Sequence, residues 1–491
     1  MANLLVWPVV VPLIAALLAS VWPRRGAALA VLAIVANVVA AVVLLLTVNA
    51  QGLQSQLLAG WPVGLAIALQ ADYISSLLLV LTATIYLLTS LYALTYYKSS
   101  EVASRFWPLW LLLLVALNAL FLSRDLFNLY VALELLTISA VALVAVSASN
   151  ESLQAALRYM TLSLVGSLLF LAGIVLIYTR YGTLDLQVLS ELVTLDLSLW
   201  IALATMSAGL ALKCALFPLH FWLPDTHASA TAPVSAILSA LVVKAAFYLL
   251  LRLWFDLADD SVKEGVTGLL GLLGAFGVLW GSYNALFAAR LKLLAAYSTI
   301  AQLGYLFMFL PLIVLAPGGE ASPLFAAMIL FLLSHAVAKA GLFLAIGYVQ
   351  QRIGHDNIED LNGLAHHLPV STFAFALAGL ALIGLPPSGS FLAKWVLIGA
   401  LIAQAHWLYL GVVFTGTLLA AAYTFRILGI VLTNVAGPEL GRDQHSDSGT
   451  AQPSELRESS AAWIALSLVL LATFGLGLNS AELWSFMSRQ G

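Results

Sequence analysis

"ALKCALFPLHFWLPDTH", residues 211–227, sets Lys213, His220, Asp225 and His227 beside two prolines, Pro218 and Pro224, where the flanking sequence reads as continuous membrane-spanning helix. Proline removes a backbone donor and interrupts a helix, and lipid offers no partner to the groups so freed. The stretch therefore reads as a helix broken inside the bilayer next to a lysine, and discontinuous helices of this kind form ion sites in secondary transporters. A second stretch, "GLALIGLPPSGSFLAKWVLIGA" at 379–400, has the same features: Pro386 and Pro387, then Ser388, Gly389 and Ser390, then a half-helix carrying Lys394. A matched pair of breaks in the two halves of a chain points to inverted repeats.

Composition agrees with a membrane location. The 491 residues are 62% hydrophobic and 9% charged, whereas soluble domains are about a quarter charged. A net charge of −3 leaves no surplus of Lys and Arg for a nucleic-acid partner. The single cysteine, Cys214, excludes an internal disulfide and a cysteine-built metal or iron-sulfur site. No GxGxxG, GxxxxGK[ST] or paired-His zinc motif occurs, so nothing assigns a cofactor or a metal to this chain.

Apolar runs long enough to cross ~30 Å of hydrocarbon fall at 4–22, 27–49, 73–97, 106–123, 126–148, 155–179, 198–217, 232–255, 266–288, 293–315, 322–350, 369–405, 407–433 and 461–480. The fold class expected is an all-α polytopic membrane protein of about 14 transmembrane helices. The first run lacks a basic leader and precedes Arg24 and Arg25, so it is expected to stay as an anchor helix. Most Lys and Arg residues collect in alternate loops, which predicts both termini outside. The stretch 437–459 is polar and rich in Ser, Gly and Pro, and is expected to be a flexible cytoplasmic loop. The whole chain reads as one membrane domain.

Lys213, Lys244, Lys339 and Lys394 fit no loop, because they sit inside apolar runs. Glu134 lies about nine residues past Asp125, near mid-membrane at ~1.5 Å rise per residue. His335 and Lys339 are four apart and share one helix face. A charged side chain at the centre of a membrane helix costs about 2.5–3.5 kcal/mol, so such residues face a polar interior and mark ion pathways. Taken singly, Glu134 has an explanation as a structural ion-pair partner, and His335 as a packing residue. Arg252, Arg426 and Lys292 lie near span ends, where snorkelling is the default, and His220 and His227 either cap the break or line a path beside it. Six ionisable groups spread over several helices are poorly explained by packing.

"LYVALELL", the segment "ALKCALFPLHFWLPDTHASATAPVSAILSALVVKAAFYLLLR", "LKLLAAYSTIAQLGY", "SHAVAKAGLFL" and "GLPPSGSFLAKW" resemble signature segments of the antiporter-like subunits shared by complex I, membrane-bound hydrogenases and Mrp-type multisubunit cation/proton antiporters. The resemblance covers about residues 60–435. It implies three N-terminal helices (1–105), two inverted five-helix repeats near 106–255 and 266–433 with broken helices 7 and 12, and a last helix at 461–480. Carried over by position, Glu134 matches the fifth-helix glutamate and Lys213 the seventh-helix lysine that pairs with it. Lys244 matches the central lysine of helix 8, His335 and Lys339 the polar positions of helix 11, and Lys394 the terminal lysine of helix 12. The implied function is proton movement along this axis, gated by the Glu134 to Lys213 pair, in a monovalent cation (Na+)/H+ antiporter, with this chain most like the D-type component. The other implied reading is a proton-pumping membrane subunit of a complex I-type NADH:quinone oxidoreductase or hydrogenase, with redox centres on other chains. Both imply other membrane subunits, protons and the lipid bilayer as partners, with sodium for the antiporter, in a prokaryotic cell (inner) membrane.

Overall fold

The computed structural model describes residues 4–58, 67–97, 100–193, 196–258, 260–319, 322–433 and 459–478. Its contacts divide the chain into two compact units, Met1–Leu270 and Gly271–Gly491. The expected loop at 437–459 lies outside the described residues.

The first unit begins with α1 (Trp7–Val21) and α2 (Gly26–Gln51). A short hairpin follows, β1 (Gln54–Leu57) antiparallel to β2 (Ala68–Ala71), in register from Gln54 opposite Ala71 to Leu57 opposite Ala68. The remaining helices are α3 (Tyr73–Tyr96), α4 (Ser100–Leu122), α5 (Leu126–Val144), α6 (Asn150–Tyr181), α7 (Leu186–Leu192), α8 (Leu197–Lys213), α9 (Leu223–Ser229), α10 (Ala232–Ile237) and α11 (Val243–Leu257). A π-helical turn at Leu238–Val242 joins α10 to α11.

Aspartates start several of these helices. Asp72, Asp125, Asp185 and Asp196 each accept a backbone N–H from the first turn of the helix that follows. An N-cap carboxylate satisfies donors that an apolar surrounding would leave bare. α2 keeps Leu32, Val35, Val39 and Leu46 exposed, an apolar outer face suited to lipid.

α12 (Asp260–Phe287) runs across the boundary between the units. The second unit holds α13 (Leu291–Leu315), α14 (Pro323–Ile353), α15 (Leu364–His367), α16 (Pro369–Ile383), α17 (Gly389–Ala403), α18 (Trp407–Val431), α19 (Ser460–Leu470) and α20 (Leu476–Leu478). α14 is its core: every residue from Leu324 to Val349 is buried, and α13, α16, α17 and α19 pack on it. A helix apolar on all sides and enclosed on all sides is a buried one.

Among the described residues eleven helices are long and apolar enough to cross a membrane, and Trp7–Val21, Leu197–Lys213, Pro369–Ile383 and Gly389–Ala403 are shorter apolar helices. The last three flank the two breaks read from the sequence. At ~1.5 Å per residue, the 15-residue α16 and α17 are each too short to span alone.

Candidate functional site

Lys213 is the last residue of α8. The helix stops because Ala215 takes a left-handed φ of 54°, and the Leu216 N–H turns back to the Ala211 carbonyl at 3.0 Å. Trp222 donates its indole N–H to the Leu212 carbonyl at 2.9 Å, and its ring stacks on Tyr159 with centroids 4.4 Å apart. The Leu212 carbonyl also accepts the Ala215 N–H at 3.1 Å, so the indole adds a second bond that ties the chain after the break back to the end of α8.

The Lys213 side chain is 6% exposed, and its Nζ donates to Thr137 Oγ1 at 2.8 Å. Thr137 spends its own proton on the Leu133 carbonyl at 2.9 Å, so an oxygen lone pair faces the lysine. Glu134 lies three residues before Thr137 and shares its face of α5. Glu134 Oε1 is buried without a hydrogen-bond partner, and its carboxylate attracts the Lys213 ammonium through space. Among the described residues the two are not in ion-pair contact; the hydroxyl of Thr137 holds the ammonium instead. The sequence pairs Glu134 with Lys213 by resemblance and gives no sign of Thr137.

Glycine sets the depth at which α8 sits. A Cβ on Gly209 would stand 2.3 Å from the Gly166 carbonyl oxygen of α6, and a Cβ on Gly166 would stand 2.9 Å from the Gly209 oxygen and 3.4 Å from Lys213 Cγ. Small residues at such a crossing let helix backbones meet closely, and here they bring Lys213 against the neighbouring helix.

Lys244 is 2% exposed, and its ammonium donates to the Ser239 carbonyl inside the π-helical turn. A π turn loosens the regular ladder and is frequent at functional positions. His220 and His227 are both buried in the segment between the break and α10; His220 stacks on Phe217 with centroids 5.4 Å apart.

In the second unit Lys339 is fully buried and donates to the Ala295 carbonyl at 2.8 Å and Ser298 Oγ at 2.5 Å on α13. His335, also fully buried, lies one turn earlier on the same helix. Its neighbour Ser334 accepts a bond from Ser390 Oγ of α17 at 3.0 Å. One turn beyond Ser390, Lys394 donates to the Ile383 carbonyl at the end of α16 at 3.0 Å and stands 4.3 Å from the centre of the Tyr305 ring. The Gln302 side-chain amide caps the adjacent Leu382 carbonyl at 2.9 Å, a role parallel to that of Trp222 at the first break.

Ser298, Thr299, Gln302 and Tyr305 were missed in the sequence. Their signal was present as a polar stripe at helical spacing on an apolar helix, beginning at Lys292. Lys292 does not snorkel: it is 3% exposed, its backbone N–H donates to Asp356 Oδ2 at 3.1 Å, and Arg290 holds the other oxygen at 2.8 Å. Arg252 is bonded to Asp72 and lies 3.7 Å from Asp256. Arg426 donates to the carbonyls of Leu286 and Ala288. For Arg252 and Arg426 a carboxylate or a carbonyl lies within reach of the span end.

The family described as NADH:quinone oxidoreductase/Mrp antiporter, transmembrane, matches residues 123–420. The chain belongs to this family. All six ionisable residues singled out in the sequence lie inside the matched span. This antiporter-like chain is 35% identical over 375 residues to the N subunit of the NADH-quinone oxidoreductase of Desulforudis audaxviator, covering 75% of this chain and 73% of that one. It is 27% identical over 405 residues to the D component of the Na(+)/H(+) antiporter of Alkalihalophilus pseudofirmus, covering 81% and 80%. A chain of the solved Mrp complex from Dietzia sp. superposes with a TM-score of 0.88 at 25% identity, over 99% of this chain and 97% of that one.

One residue of the antiporter-like chain decides where Lys394 lies. Gly384 has φ +83°, and a Cβ there would stand 2.9 Å from Lys394 Cδ. Gly384→Ala is expected to cost about 1–2 kcal/mol for the left-handed backbone and to lift Lys394 off the Ile383 carbonyl. Proton transport by the assembled complex, with its thermal stability, checks this; unchanged values for both would refute it.

Proposed function

We propose that this chain is the proton-translocating antiporter-like subunit of a multisubunit monovalent cation (Na+)/H+ antiporter. Protons pass along Glu134, Lys213, Lys244, His335, Lys339 and Lys394, and Glu134 gates the first step by approaching and leaving Lys213. One contrast carries the reading. Four arginines near the span ends face aspartates: Arg124 with Asp185, Arg180 with Asp196, Arg252 with Asp72, and Arg290 with Asp356. Lys213, Lys244 and Lys394, at 6%, 2% and 4% exposure, donate to a hydroxyl or a carbonyl and touch no carboxylate among the described residues.

A buried charge compensated by contact is fixed, whereas one held by neutral oxygens can be discharged by losing a proton. An ammonium offers three donors, and neutral acceptors suit the amine as well. These lysines are therefore placed to change protonation state, which the paired arginines cannot do.

The asymmetric distribution of Lys and Arg between loops supports a topology with both termini outside. The boundary between the two units at residue 270 supports repeats near 106–255 and 266–433, with the chain in the prokaryotic cell membrane beside other membrane subunits of its complex. The second reading, a proton-pumping subunit of a redox complex, is favoured by the 35% identity to an NADH-quinone oxidoreductase subunit.

The complex purified with its native partners and sealed into vesicles separates the two readings. A sodium gradient alone is expected to drive proton movement in wild type, and Lys244→Met is expected to reduce it by about 100-fold, the low end of what a positioned proton-transfer group contributes. Movement that instead needs an electron donor, with flavin and iron-sulfur subunits co-purifying, would replace the antiporter by the redox reading.

A further inference from the structure

The second break rests against a helix from the far end of the chain. Both breaks turn alike: in the first the Leu216 N–H bonds back to the Ala211 carbonyl and the Leu219 N–H to that of Leu216, and in the second Leu385 bonds to Leu380 and Ser388 to Leu385. They differ in what ties them down. Trp222, from the chain just beyond, ties the first break to Leu212. At the second, a Cβ on Gly477 of α20 would stand 1.6 Å from the Pro387 carbonyl oxygen and 2.8 Å from its carbon. The carbonyl thus fills the place of a side chain, and only glycine lets the two backbones meet. One residue earlier, Leu476 Cβ lies 3.4 Å from where a Cβ on Gly389 would stand. Gly389 is the first residue of α17, the half-helix that carries Lys394.

The last helix is anchored below this contact and interrupted just before it. A Cβ on Gly341 of α14 would stand 2.4 Å from Val469 Cγ2 and 3.0 Å from the Ala465 carbonyl oxygen, so α19 lies close on α14. A π-helical turn, Leu471–Gly475, then separates α19 from α20. Such turns loosen the regular ladder and are frequent at functional positions. Leu385, Pro386 and Pro387 are exposed while Ser388, Gly389 and Ser390 are buried, so the turn has room on one side and α20 holds the other.

We propose that α20 is a latch on the second break, with Gly477 as a positioning residue for Lys394, and that the latch lifts from Pro387 when Lys394 exchanges its proton. The inference rests on the proposed proton axis and adds to it a control element outside both proposed repeats. With the latch seated, α17 starts at a fixed place and Lys394 stays on the Ile383 carbonyl at 3.0 Å. With it lifted, Gly389 and the turn before it shift and Lys394 leaves that carbonyl. The π turn lets α20 move while α19 stays on α14.

The test uses the whole complex in sealed vesicles. Gly389→Cys combined with Leu476→Cys sets two Cβ atoms about 3.4 Å apart, next to the ~3.5–4.5 Å of a disulfide, and the native Cys214 is fully buried. The reduced double variant is expected to transport protons. Oxidation closes the disulfide, read by mass as two fewer free thiols on this chain, and stops transport; a reductant restores it, which a merely structural contact would not produce. Gly477→Ala is expected to slow transport by on the order of 100-fold, the cost of misplacing a reacting group by about 1 Å. Gly429→Ala, where a Cβ meets nothing within 4 Å, keeps the wild-type rate. The latch is overturned if no disulfide forms, if the oxidised complex transports at the reduced rate, or if Gly477→Ala matches Gly429→Ala. Should the reduced double variant fail to transport, the two alanine variants decide alone. Lys394→Met separates the two levels: full transport by that variant removes Lys394 from the proton axis, whereas lost transport there with none of the latch effects removes the latch alone.

Discussion

Glu134→Gln halts cation-driven proton movement, reducing the initial rate of the reconstituted complex by about 100-fold or more, equivalent to roughly 2.7 kcal/mol, with the complex still assembled. Glutamine keeps the shape of glutamate and removes only its charge and proton. The fold does not depend on that charge, because Lys213 is held by Thr137 and Glu134 Oε1 makes no hydrogen bond. The proposed relay does depend on it. Two opposite charges at 4 Å are worth about 4 kcal/mol at the effective dielectric near a protein surface, so closing and opening the pair changes how tightly Lys213 holds its proton. Thr137 gives the ammonium a resting partner while the pair is open. Transport by assembled Glu134→Gln at the wild-type rate would end the idea that this carboxylate gates the path.

The second large effect is structural. Gly209→Ala places a methyl 2.3 Å from the Gly166 carbonyl oxygen, a backbone atom that no rotamer change can move. Only separation of α6 and α8 relieves the contact, and overpacking of this kind costs typically about 1–3 kcal/mol. Because Lys213 ends α8, the same shift draws Nζ away from Thr137, so transport and thermal stability should fall together. Gly429→Ala is the control: a Cβ there meets nothing within 4 Å, and replacing an exposed helical glycine by alanine is favourable by about 0.5–1 kcal/mol. Equal melting temperatures for the two variants would show that the crossing is not tight.

The helix breaks were legible in the sequence because proline and glycine act on the backbone at their own positions. α8 ends at Lys213 and α16 at Ile383, each shortly before its prolines. The buried lysines were legible for a related reason: a charge within an apolar run has a cost that depends little on the details of folding. What Lys292 and Arg252 meet was not legible by the same rule. Each lies near a span end, and only the folded chain shows that Asp356 and Asp72 come within reach. Those aspartates are 64 and 180 residues away along the chain.

Sequence alone determined that this is a polytopic helical membrane protein, that two of its helices are interrupted, and which side chains sit where lipid would penalise charge. These are properties of composition and of local backbone chemistry, and they survive without knowledge of any neighbour. Tertiary structure decided what each buried lysine touches. Thr137 stands where glutamate was expected, the carbonyls of Ser239 and Ile383 receive Lys244 and Lys394, and Trp222 and Gln302 donate to carbonyls beside the breaks. A hydrogen bond requires approach to about 3 Å, and only helix crossings such as Gly166 on Gly209 bring residues so far apart in sequence that close.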